Sequence, residues 1–218
     1  TFNLSEIIII QIMNLFQQFG KLVRSGLAFD QYYKNLNQAL KRHNDEYVML
    51  HYTFFKNDSD SLFQGQKNLT DFCISFVAPL ENKNLLEIGC GNGVQCMYIQ
   101  EKCNPLTITG VDLDPSNIEI ANSEKNRKQL KNIEFHLGDA QTLTMIQDKT
   151  IDIVFNIESA LHYPDKLDFL KQVFRVLKPD GQFVITDILT KKGKGTGIRK
   201  FWKKKMKINN WTRHLYDS

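Results

Sequence analysis

The pattern of apolar and polar positions changes sharply along the chain. From residue 84 onward, short apolar runs alternate with longer stretches in which apolar residues recur every three to four positions. The runs are LLEI (85–88), TITGVDL (107–113), IEFHL (133–137), IDIVFNI (151–157) and QFVITDIL (182–189). Short, nearly continuous runs rich in Ile, Val, Leu and Phe predict strands buried on both faces. Between them lie helical stretches with their own punctuation. Asp114-Pro115 supplies an N-cap and a proline at the first helical position, predicting a helix over 115–131. Pro164-Asp165 opens another, in which Leu170, Val173, Phe174 and Leu177 form an amphipathic stripe; Lys178-Pro179-Asp180-Gly181 stops it with turn chemistry. Five strands with intervening helices predict an α/β fold, a Rossmann-like, doubly wound and mainly parallel sheet with right-handed crossovers. Ligands on such sheets bind beyond the carboxyl ends of the strands.

Upstream the pattern is different. Residues 1–24 read as a helix with a wide apolar face. Its core, EIIIIQIMNLFQQF (6–19), is broken by Gln11 and Asn14 and is too short to span a bilayer, so a helix packed on the domain or on a partner is expected. Residues 25–82 are rich in Tyr, Phe and Asn and read as mostly helical with loops. Downstream, KKGKGTG (191–197) is a glycine-lysine linker without the spacing of a P-loop.

Composition changes the picture in two places. The net charge of +4 hides an asymmetry: residues 191–218 hold 10 Lys and Arg against one acid, Asp217, a local charge of +9 that leaves the rest at −5. A basic segment carrying Phe201, Trp202, Trp211 and Tyr216 fits RNA, an acidic lipid surface or an anionic substrate, and equally the solvated outer face of a lid, which is the favoured reading. The four cysteines, Cys73, Cys90, Cys96 and Cys103, form no Cys-x-x-Cys pair and no His cluster stands near them, which argues against a zinc or other metal site. Reduced thiols in a cytoplasmic protein are the economical reading.

The candidate chemistry sits where the strands end. NLLEIGCGNGVQ (84–95) places Gly89, Gly91 and Gly93 at alternate positions after an apolar strand, with Glu87 just before them and Val94 where a dinucleotide fingerprint has its third glycine. Asp112 ends the next strand, 25 residues after Glu87, where a carboxylate accepts hydrogen bonds from both ribose hydroxyls. The bland alternative, a turn cap, fits Asp114 better. Asp139, in LGDAQ, follows the third strand and is placed to accept from an exocyclic adenine amine, or is an ordinary loop aspartate. Three acids at successive strand ends, a glycine loop and no basic phosphate clamp indicate a nucleoside ligand without phosphate.

LLEIGCGNG, TGVDLDPSNIEIA, FHLGDAQTL, IDIVFNIESALHYPD and FRVLKPDGQFVITDIL resemble, in order and spacing, the successive motifs of class I S-adenosylmethionine-dependent methyltransferases, over residues 80–190. ESALHYPD and the upstream MLHYTFF (49–55) are most similar to the small-molecule branch that includes sugar, polyketide, tocopherol and sterol methyltransferases. The resemblance implies S-adenosylmethionine as cofactor, with Glu87, Gly89, Gly91 and Gly93 at its methionine part and Asp112 at its ribose. Leu113 would lie on the adenine, Asp139 and Ala140 on the adenine rim, and Asn156 and Ile157 near the methionine part. It implies a small-molecule acceptor faced by Tyr33, Glu158, Tyr163 and Trp202. For a hydroxyl acceptor His162 is the candidate base and Asp187 its orienting partner; the alternative for His162 is a helix cap or neutral lining. NIESALHY stands where base-modifying relatives carry a proline-aromatic signature, which argues against nucleic acid. The implied organisation is a helical cap over 1–82 covering substrate and cofactor, a cofactor-binding core over 83–190, and a basic aromatic lid or truncated C-terminal segment over 191–218. Relatives of this class continue past the fifth strand with a helix and an antiparallel strand pair. Here 29 residues follow Leu189 without strand-like alternation, so a chain cut short, or a sheet completed differently, is expected. An exposed sheet edge would then be open to pairing with a second chain. A non-catalytic methyltransferase-like binding or regulatory protein, and a C- or N-methyltransferase of a lipid or amine, are the alternative readings.

Overall fold

The computed structural model describes residues 29–187. The expectations for residues 1–24, for the linker at 191–197, for Trp202 and for the basic segment lie outside these residues. Helix α1 (Phe29–Asn44) and helix α2 (Leu62–Ile74) flank an extended segment and precede β1 (Asn84–Ile88). There follow α3 (Val94–Cys103), β2 (Thr107–Asp112), α4 (Pro115–Arg127), β3 (Ile133–Leu137), β4 (Ile151–Ile157), a single 3-10 turn (Ala160–His162), α5 (Lys166–Val176) and β5 (Leu177–Thr186). All four strand pairings are parallel, in the order β3-β2-β1-β4-β5. The chain therefore winds outward from β1 through β2 to β3, then returns to the other side of β1 for β4 and β5. The reversal falls between β1 and β4, and the crevice beyond their carboxyl ends is the place such sheets offer a ligand.

Both faces of the sheet are covered, as the near-continuous apolar strands require. Leu85, Ile108, Ile133, Ile153 and Phe155 pack against Leu69 and Cys73 of α2, Met97 and Ile99 of α3 and Ala121 of α4. Leu86, Ile88, Val111 and Val154 pack on the opposite face against Phe169, Leu170, Val173 and Val176 of α5. A third cluster joins Leu36 and Leu40 of α1 to Val48, with Tyr32, Tyr33 and Leu50 at its margin.

Three boundaries differ from the pattern-based reading. The helix opened by Asp114 closes at Arg127 rather than 131, because Gln129 takes a left-handed backbone. The buried stripe of α5 includes Phe169 and Val176, whereas Phe174 is 41% exposed and Leu177 already belongs to the strand. Finally, β5 begins five residues early. Leu177 pairs with Ile151 and Gln182 with Ile153, so Lys178-Pro179-Asp180-Gly181 bulges out of the strand edge instead of forming a separate turn. Strand β5 also ends at Thr186, which leaves Asp187 just past it.

Candidate functional site

The glycine loop leaves β1 at the switch point. Gly89, Gly91 and Gly93 all have positive φ, at 74°, 54° and 76°. For Gly89 the absence of a side chain is also steric: a Cβ there would overlap Ser159 Oγ, on the loop that follows β4. At Gly93 it would lie 2.6 Å from the Phe135 ring, within the helix–sheet contact. The loop can thus pass between two neighbouring elements only as bare backbone.

The loop is held by its neighbour. Gly89 N–H and Cys90 N–H donate to the Val111 carbonyl of β2, at 2.7 and 3.1 Å. Gly91 N–H donates to Asp112 Oδ2 at 2.8 Å. Asp112 Oδ1 accepts from Asp114 N–H at 2.9 Å and Asn117 Nδ2 at 3.3 Å. Asp112 therefore braces its own turn as well as the loop, while Asp114 is the helix cap, its Oδ1 accepting Ser116 N–H at 2.8 Å. A carboxylate offers about four lone-pair positions, so Asp112 keeps capacity for a further donor. Burial raises its pKa despite these bonds. Beside it, Leu113 is 71% exposed, a large apolar face turned to solvent just beyond the carboxyl end of β2.

Glu87 lies deeper. It is buried beneath the loop, where Oε2 accepts the Cys96 thiol at 2.8 Å. Burial first, and the charge of Asp112 second, push its carboxyl up to about 8. Cys73, Cys90 and Cys96 are buried free thiols, and Cys103 is partly covered and also free. Burial raises each thiol's pKa, so none is poised as a nucleophile.

On the other side of the crevice, β4 delivers Asn156, Ile157, Glu158 and Ser159. Asn156 Nδ2 donates to the Ile88 carbonyl at 2.8 Å and to Tyr163 Oη at 3.0 Å. Its Oδ1 is fully buried and has no hydrogen-bond partner, a cost that a polar ligand group would offset. Ile157 packs into the core face shared with α2 and α3. Glu158 has φ of +53°, an uncommon conformation for a residue with a side chain. Its backbone N–H donates to Thr186 O at 2.6 Å, and its Oε2 accepts Tyr52 N–H at 2.7 Å. Burial, with Asp187 adding like charge, pushes Glu158 up to about 7. Ser159 Oγ meets Tyr163 Oη at 2.6 Å, and burial raises the Tyr163 phenol.

His162 ends the 3-10 turn and does not cap the following helix; Asp165 does, accepting Leu167 N–H and Asp168 N–H at 2.8 and 2.9 Å. His162 Nε2 faces Tyr33 Oη of α1 at 3.4 Å. Burial, and then Lys166, lower its pKa to about 4, so the ring is neutral at pH 7. Asp187 makes its electrostatic mark on Glu158. Asp139 forms a turn at the end of β3, with Oδ1 accepting Gln141 N–H at 2.8 Å, and Ala140 is buried against the α5 face.

Two further groups of residues shape the site, the first signalled in the sequence only by resemblance and the second not at all. One is the segment 48–54, which runs across the crevice. Gln66 of α2 holds it, donating to Met49 O at 2.6 Å and His51 O at 2.9 Å, and Phe54 N–H donates to Gly65 O at 2.9 Å. The other is a set of three asparagines, Asn37, Asn92 and Asn117, all buried. Asn-rich composition masked the second; MLHYTFF signalled the first.

A family model described as a methyltransferase domain matches residues 79–215. The chain belongs to that methyltransferase family. S-adenosylmethionine is the cofactor of the class. The residues present fit it: a cradle of left-handed glycines closed on its neighbours, a strand-end carboxylate beside an exposed leucine, and an orphaned buried carbonyl oxygen. Among curated proteins the methyltransferase chain is 41% identical over 110 residues to a fatty-acid O-methyltransferase of Mycolicibacterium smegmatis, covering 50% of this chain and 39% of that one. The chain thus spans about two fifths of that relative's length. Among solved structures it resembles the [4+2]-cyclase SpnF, with a TM-score of 0.67 and 24% identity over 72% of this chain and 58% of that one. It also resembles geranyl diphosphate C-methyltransferase of Streptomyces coelicolor A3(2), crystallised with S-adenosyl-L-homocysteine, with a TM-score of 0.61 and 17% identity over 72% and 63%. At these identities the structures establish the methyltransferase fold and no more.

Proposed function

We propose that this protein transfers the methyl group of S-adenosylmethionine to an oxygen of a small, lipid-like acceptor. The observation that carries the donor half is the switch-point arrangement in which Asp112 and the glycine loop are joined by the 2.8 Å bond from Gly91. In this reading Gly89, Gly91 and Gly93 hold the methionine part over buried Glu87, and Asp112 takes the ribose. Leu113 lies on the adenine, with Asp139 and Ala140 at its rim, and Asn156 and Ile157 border the methionine part. The donor supplies an electrophilic methyl when bound. The chain supplies alignment and removal of water, the two contributions that matter most for in-line displacement.

The acceptor half rests on the relative's name and on the chemistry around His162. Tyr33, Glu158 and Tyr163 border the acceptor, with Trp202 assigned there from the sequence alone. A hydroxyl must lose its proton as the new bond forms, and a neutral imidazole accepts it. The proton taken up by His162 would place a cation in a crevice that also holds the carboxyl groups of Asp112 and Glu158. Asp187 is assigned as the partner that orients His162. The division assigned from the sequence, a cover over 1–82, a donor-binding core over 83–190 and a basic aromatic lid or truncated C-terminal segment over 191–218, is kept in this reading, with 1–28 and 188–218 outside the described residues.

Calorimetry with S-adenosylhomocysteine tests the donor assignment. The intact chain should bind it, and Asp112→Ala should weaken binding by about 10- to 100-fold, the weight of lost charged hydrogen bonds. No binding by the intact chain, or binding unaltered in Asp112→Ala, rejects the proposal.

A further inference from the structure

The three buried asparagines form, with Asp112 and the glycine loop, a closed ring of hydrogen bonds. Gly91 N–H donates to Asp112 Oδ2, and Asn117 Nδ2 donates to Asp112 Oδ1. Asn37 Nδ2 donates to Asn117 Oδ1 at 2.9 Å, and Asn92 Nδ2 donates to Asn37 Oδ1 at 2.8 Å. The peptide bond between Gly91 and Asn92 closes the circuit. Four elements meet in it: the loop after β1, the end of β2, the first turn of α4, and α1.

The direction of every bond in the ring is fixed by backbone groups. Asn92 Nδ2 also donates to the Val48 carbonyl at 2.8 Å, and its Oδ1 accepts Val94 N–H at 3.2 Å. A carbonyl can only accept and an N–H can only donate, so the Asn92 amide has one orientation. Its nitrogen then obliges Asn37 to present Oδ1. Asn37 Nδ2 is thereby directed at Asn117 Oδ1 and at the Tyr33 carbonyl, 3.0 Å away. Asn117 is left with its nitrogen facing Asp112. At 1%, 2% and 1% exposure none of the three amides can exchange these partners for water.

The hydrogen bonds of Asn37 go to Tyr33, Asn92 and Asn117, none of them assigned to the donor, yet they join Asp112 and the loop to the helix that carries Tyr33. One turn earlier on α1, Tyr33 Oη reaches His162. We infer that Asn37 is a positioning residue that makes donor binding and the docking of α1 over the acceptor side a single event. The inference rests on the donor reading above. A ligand that engages Asp112 and the glycine loop tightens the ring, and the ring draws α1 and Tyr33 into register with His162. The reciprocal follows by linkage: loosening α1 weakens the donor.

The test is calorimetry with S-adenosylhomocysteine on the 218-residue chain and on Asn37→Leu, Asn117→Leu and the double variant. Each single change should weaken binding about tenfold, and the double variant should be within about twofold of the weaker single, because either change opens the same ring. Full additivity, or unaltered binding in Asn37→Leu while the wild type binds, overturns the inference and leaves the donor reading standing. A wild type that does not bind overturns both. Should Asn37→Leu fail to fold, hydrogen exchange on the wild type decides. Bound S-adenosylhomocysteine should slow the amides from Tyr33 to Leu40 about tenfold or more, and no change there overturns the inference.

Discussion

His162 shows how burial changes what a residue can do. An ordinary histidine is half charged near neutral pH; here desolvation holds it neutral down to about pH 4. It is then a ready proton acceptor over the whole physiological range, though a weaker base than usual. With a long-chain alcohol as acceptor, His162→Ala should lower kcat by about 10²- to 10⁴-fold, the usual weight of general-base catalysis. With a long-chain fatty acid, already ionised at neutral pH, the same change should alter kcat only slightly, since no proton has to leave. Rates compared side by side on the two acceptors check this, and equal losses on both would assign His162 to positioning. His162 was identifiable in the sequence from ESALHYPD; the burial that lowers its pKa was not, because it depends on how the chain packs around the turn, and neither was its Tyr33 neighbour, 129 residues earlier in the chain.

At the scale of elements, the extended segment 48–54 behaves as a strap between two parts of the fold. Gln66 fixes its carbonyls from α2, and Tyr52 N–H reaches across to Glu158 beyond β4. The strap makes no ladder with the sheet, so these few bonds set its stability. Gln66→Ala leaves two backbone carbonyls without their donor, at a cost of about 1–3 kcal/mol. The Tyr52 amide should therefore exchange about tenfold faster or more in that variant, while amides of β1 and β4 keep their wild-type rates. Exchange measured by mass spectrometry on peptides covering 48–54 and 84–88 separates the two. A strap is hard to anticipate from pattern, since it has neither the 3.6-residue period of a helix nor the alternation of a strand.

For the whole molecule, four buried titratable groups shape the dependence of stability on pH. His51 and His162 are both lowered to about 4, so the folded chain binds fewer protons than the unfolded one between about pH 4 and 6.5. Their contribution to stability grows as pH rises through that window. Glu87 is raised to about 8 and Glu158 to about 7, so the folded chain holds extra protons above pH 4.5. Stability from these two is present at low pH and is lost as pH climbs through their folded values. The two pairs oppose one another up to about pH 6.5; beyond that only the glutamates act. Melting temperature should thus be nearly level from pH 5 to about 6.5 and fall towards about pH 8. Glu87→Gln, which keeps the Cys96 contact without a charge, should flatten the decline. Thermal melts of both chains across that range measure it, and a wild-type melting temperature that rises between pH 6.5 and 8 contradicts the assignment.

Five strands and their intervening helices were legible in the sequence because local pattern and side-chain type determine them: β3 and β4 span 133–137 and 151–157 as the apolar runs do. The glycine loop and Asp112 were legible for a related reason, since backbone that must take positive φ and a carboxylate at a strand end leave residue-level signatures. The tertiary structure decided the rest. It showed that Lys178-Pro179-Asp180-Gly181 is a bulge within β5, because only the partner strand β4 fixes that register. It brought Tyr33 to His162, Tyr52 to Glu158 and three asparagines into one ring, across separations of 129, 106 and up to 80 residues. Such pairings have no local period. They exist because a buried polar group left without a partner is costly, and which partner is available depends on how the helices settle on the sheet.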